Sequence, residues 1–371
     1  MNERVYNFSA GPSMMPLPVL EKARDQFLLY PGAGCSVMEM SHRTPSFERI
    51  LQSAKDTLRR IMEIPENYEI LFIQGGATTQ FSMAAMNLAS QGDTFCYVQT
   101  GQFATKAKEE GDRWGNALYL ASSKAATYSY IPKVSEIPQE TRFLHITGNN
   151  TIYGTCYNDL DAYLPSEVIS ATGAPSPIPL VADWSSAILG KWIDVEKYGL
   201  IYAGAQKNMG PAGMAVVIIR KDLLEKEADP VVPIMLRYSV AAKHDSMYNT
   251  PPTFSIYMAG LMFEWVEQQG GVRRMEEINR RKAGLLYEFL EGSSLFHSPV
   301  NPADRSIMNV TFTLPSSELT DAFLAKTKAA GMINLKGHRS VGGCRASIYN
   351  GMPMEGVEKL VELMKDFEKK A

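Results

Sequence analysis

Residues 181–210 read VADWSSAILGKWIDVEKYGLIYAGAQKNMG, and two features of this stretch decide how the chain is read. One apolar run closes on Asp183 and continues as Trp184-Ser185-Ser186; a second, Gly199 to Ala203, opens into Gly204-Ala205-Gln206-Lys207-Asn208. Short apolar runs that end in polar chemistry fit parallel strands whose carboxyl ends carry ligand loops. Taken singly, such an aspartate is equally a helix cap or turn residue, and a lysine is more often simply exposed. Taken together, 24 positions apart, they fit a more specific pairing. The acid would lie under a heteroaromatic ring and keep its nitrogen protonated. The amine, its pKa lowered by desolvation and a nearby cation, would act as nucleophile and proton carrier.

Working outward, the same alternation recurs. Glu69–Gln74, Thr94–Val98, Ala117–Leu120, Arg142–Thr147, Pro179–Asp183, Gly199–Ala203 and Met214–Ile219 read as strands. Thr78–Leu88 and a segment containing Lys106–Gly111 read as helices between them. This predicts an α/β fold with a mainly parallel seven-stranded sheet covered on both faces. Leu17–Tyr30 and Ser46–Met62 carry helical periodicity ahead of it, after a polar, glycine-containing arm at residues 1–16. Ala171–Pro179 reads as a surface loop, and Asn249–Pro252 as a break. The C-terminal third has another texture: helices at Phe254–Gln269 and Val272–Leu290, strands near Asn309–Leu314 and Ala346–Tyr349, then helix. It is expected to form a smaller α+β domain.

Two further features bear on ligands. Gly75-Gly76 ends a strand, and Ala77, Thr78 and Thr79 open a helix. GGATTQ lacks both the dinucleotide and the P-loop glycine spacing, so what survives is a phosphate seat of free N–H groups and hydroxyls, a pattern that also caps ordinary helices. His42-Arg43 lies in an early loop, and His338-Arg339 and Arg345 lie in KGHRSVGGCR at 336–345. Arginine grips a carboxylate or phosphate with two parallel bonds. Each pair alone is also compatible with a solvated turn. Two His-Arg pairs favour a substrate with two anionic ends.

Composition excludes other classes. The net charge of −3 gives no general attraction to nucleic acid or anionic lipid. The four cysteines, Cys35, Cys96, Cys156 and Cys344, are scattered without a CxxC pair, so neither a metal site nor a disulfide framework is expected. No signal-peptide pattern and no membrane-length apolar run is visible, which makes the cytoplasm the expected compartment.

The chain resembles the phosphoserine aminotransferase family, class V of the fold-type I pyridoxal-phosphate enzymes. The resemblance runs through NFSAGPSMMP, SHRTPSF, VADWSSAI, YAGAQKNMGPAGM, NTPPTFSIY and GHRSVGGCRASIYN, in that order along essentially the whole chain. It implies a large cofactor-binding domain at 17–255 and a small domain made of 256–371 with the arm 1–16. It implies pyridoxal 5'-phosphate held covalently on Lys207, with Asp183 at the ring nitrogen and Thr151 at the phenolic oxygen. Gln206, Ala77 and Thr78 would neighbour the cofactor phosphate, joined by Asn249 and Thr250 from the other subunit of a homodimer with shared sites. Arg345 would take the substrate's α-carboxylate, and His42, Arg43, His338 and Arg339 its distal phosphate or γ-carboxylate. The implied reaction exchanges an amino group between O-phospho-L-serine and 2-oxoglutarate, giving 3-phosphohydroxypyruvate and L-glutamate in serine biosynthesis. Alternatives are another class-V transaminase of dianionic substrates, such as 4-phosphohydroxy-L-threonine in pyridoxine biosynthesis, or a non-catalytic dimeric scaffold. Two positions depart from many family members. Phe103 stands where a stacking Trp is common, keeping a smaller ring face, and Thr78 stands where some carry Arg, which shifts phosphate binding onto backbone N–H groups.

Overall fold

The computed structural model describes residues 4–169, 176–225 and 228–370, and in it the seven apolar runs pair into one sheet. After an arm strand β1 (Tyr6–Asn7), the strands are β2 (Tyr68–Gln74), β3 (Thr94–Gln99), β4 (Asn116–Ser122), β5 (Leu144–Thr147), β6 (Leu180–Asp183), β7 (Leu200–Gly204) and β8 (Met214–Arg220). Their order is β2-β8-β7-β6-β5-β3-β4. β8 runs antiparallel to both its neighbours, and the remaining pairs are parallel. Every residue of β5 to β8 is buried, which is why these strands read as continuous apolar runs rather than alternating ones.

Helices cover the sheet. α1 (Leu17–Phe27) and α2 (Pro45–Ile61) precede it, α3 (Ala77–Leu88) follows β2 and α4 (Gln102–Gly111) follows β3. Two short helices, α5 (Asp222–Glu225) and α6 (Tyr238–Lys243), follow β8. Thr44 caps α2 by accepting from the Phe47 N–H, Pro45 fills its first turn, and Arg59 and Arg60 occupy the last. The C-terminal third holds α7 (Thr253–Gln268), α8 (Gly271–Gly292), β9 (Asn309–Phe312), α9 (Ser317–Ala329), β10 (Met332–Ile333), β11 (Cys344–Ser347) and α10 (Met354–Glu368). β9 and β11 pair antiparallel. Phe296 packs among Phe312, Phe323 and Phe367 at ring-centroid distances of 5.9, 5.1 and 6.2 Å.

Several element bounds differ from expectation. β5 starts at Leu144, two residues later than expected, and Arg142 just ahead of it is exposed and paired with Asp93 at 3.0 Å. β11 lies two residues earlier than its apolar content suggests, since the register pairs Cys344 with Phe312 and Ser347 with Asn309. α1 ends at Phe27, whose carbonyl accepts from Ser36 Oγ at 2.5 Å. Within the arm, Tyr6 and Asn7 form a short strand that pairs in parallel with Met332 and Ile333. Of the loop expected at 171–179, residues 171–175 lie outside the described residues, as do 1–3 of the arm. Among the described residues no helix is long and apolar enough to cross a membrane.

One buried cation fastens the C-terminal third. Lys282 of α8 is 1% exposed, and Nζ donates to the carbonyls of Ile348, Tyr349 and Met352 at 3.0, 2.8 and 3.0 Å. Three acceptors match the three donors of an ammonium, which opposes the burial that pulls its pKa to about 7. Asn350, inside the same turn, receives a bond from Asn279 and donates its N–H to Asn208 Oδ1 at 2.9 Å. Lys282→Met strands three buried carbonyls, and we expect it to lose about 3 kcal/mol or more in urea unfolding. An unchanged unfolding midpoint would show that the turn does not depend on the ammonium.

Candidate active site

β5, β6 and β7 are parallel and in register, with Thr147 beside Asp183 and Asp183 beside Tyr202. Their carboxyl ends therefore deliver three loops to one place: Gly148–Thr151, Asp183–Ser186 and Ala205–Asn208. Gly148 permits the closest approach. A Cβ there would stand 2.5 Å from the Trp184 ring, and the Gly148 N–H donates to the Asp183 carbonyl at 2.9 Å.

Lys207 and Asp183 are brought together at this edge. Lys207 Nζ donates to Thr151 Oγ1 at 2.7 Å and lies 5.4 Å from the centroid of the Phe103 ring. Its pKa is lowered to about 8: burial pulls it down, Asp183 opposes, and the Arg345 charge adds a smaller downward push. Asp183 is 5% exposed. Its Oδ1 accepts from the Ser185 N–H at 2.9 Å and from Ser185 Oγ at 2.5 Å, while Oδ2 has no hydrogen bond within the chain. Burial raises the Asp183 pKa, against Lys207 and the Ser185 bonds, which hold it down. Ser185 Oγ also accepts from the Gly204 N–H at 2.9 Å, tying the end of β6 to the end of β7.

The phosphate seat expected after β2 has the backbone for it. Gly75 turns at φ +103°, where a side chain would be strained. Gly76 is the N-cap of α3 and makes no side-chain cap bond. The N–H groups of Ala77 and Thr78 thus open a helix without an acceptor in the chain. Gln206 lies at the end of β7, next to Lys207 and on the same half-buried edge.

Arg345 reaches this edge from β11. It is half-buried, and its Nε is a buried donor without a partner. Burial lowers its pKa. The loop before it docks on the start of α4: Ser340 Oγ bonds His338 Nδ1 at 2.7 Å and accepts from Gln102 Nε2 at 2.7 Å, one residue from Phe103. Burial, then the charges of Arg345, Arg339 and Lys106, lower the His338 pKa. The cations of this loop therefore stand close enough to feel each other.

Four expected residues do not join Lys207 within one chain. His42 and Arg43 sit on a turn ahead of α2, with Arg43 exposed. Asn249 and Thr250 are exposed, and the Thr250 carbonyl accepts from Gln74 Nε2 at 2.6 Å. Conversely, Ser185 and the buried pair His145 Nε2···Tyr202 OH, 2.7 Å apart, belong to the site's support and were not singled out from sequence. Burial lowers the His145 pKa to about 3, so it stays neutral. Ser185 was visible only as part of DWSS; His145 carries no local signal. Among the described residues there is no cluster suited to a metal.

A lowered-pKa amine, a buried carboxylate with one oxygen free, an aromatic face and open helix N–H groups fit an aldehyde-bearing, phosphorylated heteroaromatic cofactor. An arginine with an unpartnered buried donor fits a carboxylate. The chain matches the family model of class-V aminotransferases over residues 5–360. It is 51% identical to a phosphoserine aminotransferase of Bacillus cereus over 368 residues, 99% of each chain. It is 49% identical to that of Geobacillus kaustophilus, again over 99% of each. Among solved structures it is similar to phosphoserine aminotransferase from Bacillus circulans subsp. alkalophilus, with a TM-score of 0.94 at 42% identity, covering 100% of this chain and 99% of that one. It is also similar to a PLP-bound phosphoserine aminotransferase from Trichomonas vaginalis, at 0.90 and 36%, covering 98% and 100%.

If Lys207 is the amine that takes up pyridoxal phosphate, uptake by cofactor-free protein should speed up as the pH rises through about 8 and then level off, because only an unprotonated amine reacts. Asp183→Asn should move the midpoint down and Arg345→Met should move it up. A midpoint near the ordinary lysine value of about 10.4 would contradict this.

Proposed function

The chain belongs to the class-V aminotransferases, and we propose that it is a phosphoserine aminotransferase whose working residues are those gathered around Lys207. It moves an amino group between O-phospho-L-serine and 2-oxoglutarate, with pyridoxal 5'-phosphate as cofactor. The observation that carries the residue assignment is the convergence of Lys207, Asp183 and Arg345 at one sheet edge, in a chain that aligns end to end with such enzymes.

When bound, the cofactor supplies an aldehyde that takes up the amine and a ring that accepts the electron pair left by the α-proton. The protein supplies the rest. Lys207 Nζ, near its titration point in neutral solution, takes the proton from the substrate's Cα and returns it to the reacting skeleton. Asp183, whose Oδ2 makes no hydrogen bond within the chain, would hold a proton on the ring nitrogen. Thr151 Oγ1 orients the phenolic oxygen, and Phe103 covers one ring face. The Ala77 and Thr78 N–H groups and Gln206 bind the phosphate, with Asn249 and Thr250 of the partner subunit.

Arg345 receives the α-carboxylate that every substrate shares. His42, Arg43, His338 and Arg339 read the distal group, and donors of this kind accept a phosphate or a carboxylate alike. His42, Arg43, Asn249 and Thr250 lie on the outside of a single chain, so the complete site needs a second copy. Large exposed apolar side chains near the first pair, Leu28 at 82%, Leu29 at 61% and Met38 at 55%, are consistent with such a covered face.

Arg345→Ala is expected to raise KM for every amino donor by roughly tenfold or more. Arg339→Ala should impair phosphoserine and glutamate more than alanine, and equal losses for all three would remove its role at the distal group. For the shared site, Lys207→Ala and Arg43→Ala should each be nearly inactive alone and regain activity when mixed under subunit exchange. A sedimenting monomer with full activity would contradict the dimer.

A further inference from the structure

The N-terminal arm crosses the backbone of the lysine loop. The Ser13 N–H donates to the Gln206 carbonyl at 3.0 Å, and Ser13 Oγ donates to the carbonyl of Lys207 itself. Gly11, at φ +146°, lies over both side chains. A Cβ there would stand 3.3 Å from Lys207 Cγ and 3.4 Å from Gln206 Cγ. The arm is in turn held by the C-terminal third. β1 pairs with β10, the Phe8 N–H donates to the Ile333 carbonyl at 3.0 Å, and Tyr349 OH donates to the Ala10 carbonyl at 2.9 Å.

We propose that Ser13 is a positioning residue for Lys207: its hydroxyl fixes the Lys207 peptide plane and thereby where Nζ sits. The inference rests on the reading of Lys207 as the cofactor-bearing lysine. A lysine side chain has four rotatable bonds and carries about 2 kcal/mol of rotamer entropy. Its amine is reproducibly placed only if the backbone it leaves from is fixed and its tip is held. Thr151 Oγ1 holds the tip at 2.7 Å. The neighbouring Asn208 is pinned by the Asn350 N–H and by its own bond to the Ile188 carbonyl. The Lys207 carbonyl receives its hydrogen bond from Ser13, 194 residues away. Small misplacements of a reacting group are costly, about a hundredfold per ångström in unfavourable cases, so one hydroxyl on this carbonyl has kinetic weight.

The test uses the full chain stripped of cofactor, with uptake of pyridoxal phosphate followed by absorbance over a range of pH. Ser13→Ala and Ser13→Gly keep the backbone N–H and lose the hydroxyl. Both should take up the cofactor roughly tenfold more slowly. Their uptake midpoint should rise, because a looser Lys207 is better hydrated. Ser13→Thr, which retains the donor, should return rate and midpoint to near wild type. The proposal is overturned if Ser13→Ala and Ser13→Gly keep the wild-type rate and midpoint while only the melting temperature falls, since a merely structural strap changes stability alone. Wild-type protein carrying its cofactor on a lysine other than Lys207 is a separate failure. It would remove the premise about Lys207, and the Ser13 proposal with it.

Discussion

The site depends on keeping one amine out of water beside one carboxylate. Desolvation disfavours both charges: it lowers the Lys207 pKa and raises that of Asp183, while each charge supports the other. The bonds around each group oppose these shifts only in part. Asp183 keeps one oxygen unbonded, and Lys207 leans on a hydroxyl rather than on a carboxylate. A direct ion pair would have fixed Lys207 as an ammonium and removed its nucleophilicity. The contrast with Lys282 is instructive. That amine is also buried, but three carbonyls consume all its donors, so it fastens a turn and is closed to chemistry.

The rest of the architecture serves this balance. Three adjacent parallel strands end at the same level, so the carboxylate, the lysine and the threonine that touches it arrive without long loops. Gly148 lets Trp184 pack flat against the β5 loop, and Ser185 joins the ends of β6 and β7. The C-terminal third brings Arg345, whose buried unpartnered Nε is a donor that a bound carboxylate would satisfy. Its positive charge also helps to keep Lys207 unprotonated. A substrate carboxylate at Arg345 would therefore change the electrostatics of the lysine at the moment of binding.

Much of this was legible in the sequence, for physical reasons that differ by element. β5 to β8 are visible because both their faces are buried, which leaves apolar runs with no alternation. Asp183 and Lys207 stood out as polar residues closing such runs. The antiparallel direction of β8 was not recognised, although the segment 205–213 is too short for a crossover helix and could have signalled it. β11 was placed two residues late because the apolar Ile348 and Tyr349 extend the pattern past the paired register. What sequence could not give were contacts between distant segments. Ser13 meets Lys207 from 194 residues away in the chain, and Arg345 faces it from the C-terminal third. Nothing local to either residue reports the meeting.

The most direct test of the account is where the cofactor is attached. Protein fully loaded with pyridoxal phosphate is reduced with borohydride, digested, and its peptides weighed. The account predicts the added mass on the peptide holding Lys207 and none on the peptide holding Lys282, whose amine is buried but fully bonded. Label on a different lysine, or on none despite full loading, would contradict it.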